Sequence, residues 1–173
     1  MNEKQPYDWD KLDIEQLIAS QRQEDINLDY KSSDSLEKND GKKSEITKDV
    51  SSFANSDGGV IIYGVKEYDT TDKKHLPEKI DKGVDPSEFS REWLEQVINS
   101  GIKPKINGLR IKPIPLSSKS SIYVVYIPKS MTAHQAADKR YYKRYNFQSV
   151  SMEHYEIVDI MNRSILQIGR AHV

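Results

Sequence analysis

Polar and apolar positions along this chain follow two different periods, and each change of period marks an element. Leu12, Ile14, Leu17 and Ile18 follow Asp10 and Asp13, a stripe behind a capping residue that predicts a short helix running to Gln21. In INLDYK, Ile26, Leu28 and Tyr30 alternate with Asn27, Asp29 and Lys31, which is the period of a half-buried strand. The polar run 32–43 predicts a loop. Ile46, Val50, Phe53 and Ala54 then stand at i, i+4, i+7 and i+8, one apolar stripe of a helix that residues 55–59 end. Residues 60–65 are apolar and β-branched without alternation, as expected of a strand covered on both faces.

Residues 66–83 are charged and predict a loop. DPSE predicts a helix start, with Asp85 at the N-cap, Pro86 at the first helical position and Glu88 three after the cap. Phe89, Trp93, Val97 and Ile98 supply that helix's apolar face and Gly101 ends it. Residues 109–114, 121–127 and 140–145 read as three further strands. Ser151 is placed to cap a last helix carrying Met152, Tyr155, Ile157, Ile160 and Met161. This order predicts an α/β domain of the α+β kind, a mixed β-sheet with helices packed on one face. Residues 1–23 read as an N-terminal helical arm and 24–167 as the domain. IGRAHV, residues 168–173, reads as a non-native, adapter-derived tail, so a further domain could follow Gln167 in the natural chain.

The stretch SSFANSDGGVIIYGV, residues 51–65, is dense in glycine but does not match a phosphate cradle. It lacks G-x-x-x-x-G-K-S/T, and it leads from helix to strand, whereas a cradle leads from strand to helix N-terminus. A structural turn explains it better. Asn55 closes the helix, Gly58 supplies a left-handed residue, Gly59 admits the backbone to the sheet without a side chain, and Gly64 ends the strand.

Composition narrows the chemistry. With no cysteine among 173 residues, disulfides, thiolate metal sites and cysteine nucleophiles are excluded. No apolar run approaches the ~20 residues of a membrane span, and the first residues are too polar for a signal peptide, so a cytoplasmic protein without membrane association is expected. The net charge of −1 hides an asymmetry: residues 101–150 hold ten Lys and Arg side chains against one acid, Asp138. Either this segment meets an acidic partner such as nucleic acid, or it pairs with the acidic remainder inside the fold. In KRYYKRY, Arg140, Tyr142 and Arg144 alternate with Tyr141, Lys143 and Tyr145, so one strand face would offer guanidinium groups around an aromatic ring. That suits phosphate contact with base stacking; the bland alternative is tyrosines packed on the last helix beside wet cations. His75, His134 and His154 have no second ligand at metal spacing and receive no role.

EDINLDYK at 24–31, ITKDVSSFANSDGGVIIYGV at 46–65 and RYYKRYNFQSVSMEHYEI at 140–157 together resemble the Schlafen AlbA_2 domain family. The family's patterns are E-x-x-x-L-E-F-K, then A-F-A-N-S/T-x-G-G with G-V following, then Y-Y-x-R. Members include presumed nucleic-acid-binding regulators, proteins labelled ATP-binding and endoribonucleases of transfer RNA. For the ribonucleases the resemblance implies a three-carboxylate site, which falls here on Glu24, Asp29 and Glu67 with Mg²⁺ or Mn²⁺ as the cation. Asp29 stands where the family usually has Glu, and Glu67 where it usually has Asp. Lys31 shares a strand face with Asp29 and would lie beside the scissile phosphate. Arg144 matches the Y-Y-x-R arginine, and with Arg140, Tyr142 and Lys143 forms the expected nucleic-acid contact. The bland reading makes Asp29 and Lys31 the solvated edge of a strand and Glu67 a loop charge. Three functions follow: RNA binding with metal-dependent cleavage of structured RNA such as transfer RNA, a non-catalytic DNA-binding regulatory module, and ATP binding. The absence of a P-loop argues against ATP. RNA is expected ahead of DNA as partner, and a homodimer is compatible with the reading.

Overall fold

Strands β1 (Leu28–Lys31) and β2 (Gly59–Tyr63) lie parallel in a computed structural model of the chain that describes residues 4–171. Residues 1–3 and 172–173 lie outside the described residues, as do the side chains at 164 and 166–171; of the expected tail only the backbone to Ala171 is described. Parallel neighbours need a crossover. Here α2 (Asp40–Ala54) supplies it, starting in the run expected to be loop because Asn39 caps Lys42 N–H through its side chain. Strand β2 then pairs antiparallel with β6 (Ser120–Ile127), and β6 with β5 (Arg110–Ser117), giving a mixed sheet ordered β1-β2-β6-β5.

Successive residues of the central strands serve opposite layers. Ile61, Tyr63, Tyr123, Val125 and Ile127 pack against Ile46, Val50 and Phe53 of α2 and against Leu94, Val97 and Ile98 of α3 (Arg91–Gly101). Val60, Ile62, Ile122 and Val124 pack on the other side against Ile14 of α1 (Lys11–Ala19). Helices therefore cover both faces, where one face was expected, because the uninterrupted apolar run of β2 presents apolar side chains both ways. The N-terminal segment belongs to this packing: Ile14 is fully buried, and Asp10 and Asp13 form a reciprocal capping box at the start of α1.

Several expected elements take other forms. The strand at 60–65 stops at Gly64, and Val65 begins β3 (Val65–Glu67), which turns back into β4 (Pro77–Ile80) as a separate ribbon inside the expected charged loop. DPSE opens no helix: Asp85 accepts from Ser87 N–H and hydroxyl in a local turn, and Ser90 caps α3 by accepting from Trp93 N–H. The strand at 140–145 is β7 (Tyr142–Tyr145), which pairs with β8 (Gln148–Ser151) in a two-stranded hairpin apart from the main sheet. Ser151 thus ends a strand, and α4 (His154–Ala171) starts beyond it, where Glu156 accepts from the Glu153 N–H.

Candidate active site

The β7–β8 hairpin lies on the C-terminal half of α2. Asn55 is its clamp, donating to the carbonyls of His134 and Tyr142 and accepting from His134 N–H, all while buried. Ser52 meets Ser149, and Arg144 N–H donates to Ser56 Oγ. This cover explains a departure from expectation on β1. Leu28 and Tyr30 face α1 as the alternation requires, but the alternate positions face α2 and the hairpin instead of water, so Asp29 is only 1% exposed.

An ionised group at such a site needs compensation. Two cations provide it: Lys31 Nζ stands 3.2 Å and Arg144 3.7 Å from Asp29 Oδ2. Lys31 also reaches Asp49 of α2 at 3.7 Å, and Ser149 donates to Asp49 Oδ1 at 3.0 Å. Burial works against the charge on Lys31, yet Asp29 and Asp49 outweigh it and hold its pKa above the ordinary value. Burial pushes the Asp49 carboxyl up, with Lys31 opposing.

Glu24 precedes β1 and is likewise buried. Its Oε1 accepts from Tyr30 N–H at 2.9 Å, its Oε2 lies 2.8 Å from His75 Nδ1, and its own N–H donates to the His75 carbonyl. Burial raises the Glu24 pKa far above the carboxylate range, and the neighbouring carboxyls of Asp29 and Glu67 raise it further. Glu67, the last residue of β3, completes the group. Glu24, Asp29, Lys31, Glu67 and His75 line one cleft of about 610 Å³, with Phe147 from the β7–β8 turn at its edge. The donor set fits a divalent cation: one ligand atom each from Glu24, Glu67 and His75 lie within 4.8 Å of one another, in the cleft that Asp29 also lines.

The expected acids and Lys31 are thus brought together from three separate segments. His75 carries no signal along the chain, since it sits 51 residues from Glu24 in a charged run and no ligand spacing announces it. The basic strand differs from expectation. Tyr142 and Arg144 form its buried face, Tyr142 bonded to Asp138 and Arg144 laid 4.4 Å over the Phe53 ring with a bond to the Asp25 carbonyl. Arg144 therefore acts as counter-ion to Asp29 and is closed to an incoming phosphate. Lys143 pairs with Glu156 at 2.6 Å, while Arg140 is exposed. The glycines occupy the conformations anticipated for a turn, Gly58 with φ +74° and Gly64 with φ +116°.

A domain with a mixed sheet, two helical layers and a buried acid cleft beside β1 is the class this geometry defines. The family model "Schlafen, AlbA_2" matches residues 24–153, and the chain belongs to that family. No match was found among curated protein sequences. Among solved structures the fold resembles the DIP2311 protein of Corynebacterium diphtheriae, with TM-score 0.54 at 13% identity over 86% of this chain. This chain spans only 30% of that protein's length. The N-terminal domain of a RecG-related protein from Nitrosomonas europaea aligns over 76% of this chain and 84% of its own, at 18% identity and TM-score 0.45.

Proposed function

We propose that this chain is a nucleic-acid-binding domain that hydrolyses phosphodiester bonds in structured RNA such as transfer RNA, with Mg²⁺ or Mn²⁺ held among Glu24, Asp29 and Glu67. The observation that carries the reading is the convergence of three acids, from the segment before β1, from β1 and from the end of β3, in one cleft. Two of the three are buried, Glu24 at 3% and Asp29 at 1% exposure, an arrangement whose mutual repulsion only protons or cations relieve. A divalent cation there polarises the phosphate and lowers the pKa of bound water. Lys31, kept charged by Asp29 and Asp49, stands ready at the cleft wall to bind a non-bridging phosphate oxygen.

An approach path for RNA is supported by the surface. The bridges Lys103–Gln135 and Gln135–Tyr141 bring exposed Lys103 and Lys105 beside exposed Lys139 and Arg140. From Arg140 the chain runs along β7 to Tyr145, about 17 Å at a strand's rise per residue, and turns there to bring Phe147 to the cleft, room for a few nucleotides. The test is cleavage of transfer RNA in Mn²⁺. Outer-shell partners of a metal are worth 10–100-fold, so Glu67→Gln, which removes a ligand, is expected to reduce cleavage at least about 100-fold. Glu67 is the better first variant because Asp29→Asn also strips Lys31 and Arg144 of their counter-ion. Equal cleavage by wild type and Glu67→Gln overturns the hydrolase. If RNA or duplex DNA is bound but left intact, the exposed cations favour the second reading, a DNA-binding regulatory module.

A further inference from the structure

His75 has no part in a three-carboxylate site, yet it stands inside the cleft and is held there. Its carbonyl accepts from Glu24 N–H, so main chain and ring are both tied to Glu24. The other side of the ring is stacked on Phe147, with centroids 4.1 Å apart and planes 11° from parallel. Two ligand atoms about 2.1 Å from one ion and at right angles across it stand about 3 Å apart. The 2.8 Å between His75 Nδ1 and Glu24 Oε2 matches that spacing, and Glu67 brings a third atom within 4.8 Å of both. Asp29 is in a different position. Lys31 and Arg144 already answer its charge from inside the protein, 3.2 Å and 3.7 Å from its Oδ2.

We infer that the cation of this cleft is held by a mixed set, the carboxylates of Glu24 and Glu67 with the imidazole of His75, and that the site therefore takes a divalent transition-metal ion such as Mn²⁺ in preference to Mg²⁺. This rests on the reading of the cleft as a cation site and narrows it. Mg²⁺ takes oxygen ligands and keeps its waters, whereas an imidazole nitrogen adds affinity for the divalent ions of the first transition row, of which Mn²⁺ is the weakest binder and serves as the paramagnetic probe. Asp29 becomes an outer residue that holds Lys31 at the cleft wall, and the Phe147 stack fixes the plane of the His75 ring.

The experiment is a Mn²⁺ titration of the full chain read by electron paramagnetic resonance, with Mg²⁺ as competitor. A ligating ring nitrogen adds a ¹⁴N hyperfine coupling to the pulsed spectrum of bound Mn²⁺. The wild type is expected to show it, and half-displacement of Mn²⁺ is expected to need at least about tenfold more Mg²⁺ than Mn²⁺. His75→Gln is expected to lose the coupling and to weaken Mn²⁺ binding about tenfold or more, with Mg²⁺ binding changed less than about threefold. Mn²⁺ bound without nitrogen coupling, or no Mn²⁺ bound at all, overturns the inference. The wild-type spectrum shows whether a ring nitrogen ligates, and the loss of coupling in a His75→Gln variant whose circular dichroism matches wild type assigns that nitrogen to His75. Nitrogen-coupled Mn²⁺ in a protein that leaves transfer RNA intact would sink the hydrolase and leave this site standing.

Discussion

Glu24 concentrates the tension of the cleft in a single side chain. Burial first, and then Asp29 and Glu67, raise its pKa, so without a cation the folded state binds its proton more tightly than the unfolded chain does. The stability this brings is fully present below the unfolded carboxylate value and declines as pH rises above it toward the folded value, by at most about 1.4 kcal/mol per pH unit. Asp49, raised by burial, acts in the same direction. Glutamine mimics the protonated acid in shape, keeping an acceptor for Tyr30 N–H. In chelator, the stability of Glu24→Gln relative to wild type should therefore increase steadily between pH 5 and 8, measured by thermal unfolding. A difference that stays flat would mean Glu24 is ionised in the cation-free protein. Adding Mn²⁺ should stabilise the wild type and leave Glu24→Gln unmoved.

Where α2 meets β2, one glycine decides whether helix and strand can join. Gly58 has φ +74°, donates to Phe53 carbonyl to close the helix, and a Cβ there would sit 2.6 Å from Lys129 N and 2.7 Å from Ile127 O. Neither contact is with a side chain that can swing away. Gly58→Ala is expected to cost about 2–4 kcal/mol through left-handed strain and main-chain clash together. Gly41, in the first turn of α2, is the control: a Cβ there meets only Asn39 Oδ1 at 3.5 Å, so Gly41→Ala should stabilise by about 0.5–1 kcal/mol. Urea denaturation of the pair checks both signs. The same junction carries the site, since Phe53 lies under Arg144 and Asn55 clamps the hairpin that closes over Asp29.

Among the described residues the two charge-rich regions pair at three points. Lys129–Asp57, Lys143–Glu156 and Arg144–Asp29 join the basic segment to the acidic remainder, while Lys103, Lys105, Lys139 and Arg140 are exposed on adjoining segments. Nucleic-acid affinity should then fall with salt, by about 0.9 log units per contacted phosphate per log unit of salt for duplex and about 0.7 for single strands. Replacing both Lys139 and Arg140 with Gln should lower that slope by about 1–2, read by fluorescence anisotropy at several salt concentrations. An unchanged slope would remove this patch from the interface. The variants also separate binding from cleavage, because both residues lie outside the acid cleft.

Much of this was legible along the chain, and the reasons differ by residue. Local chemistry determined the helix stripe from Ile46 to Ala54, the buried strand after it and the glycine turn between them, because period, β-branching and left-handed backbone are properties of neighbouring residues. The three acids were legible through their family pattern. DPSE misled because an Asp-Pro turn and a helix cap begin with the same hydrogen bonds; the cap of α3 is Ser90, whose side chain accepts from Trp93 N–H, and the helix starts at Arg91. Tertiary structure alone decided that the β7–β8 hairpin leaves the sheet and lies on α2, which turns Asp29 from a wet strand edge into a buried anion and Arg144 from a surface cation into its counter-ion. It alone brought His75 to Glu24. A loop's side chain acquires a partner 51 positions away only when β3 and β4 fold back beside β1, and the spacing of residues along the chain carries no trace of that meeting.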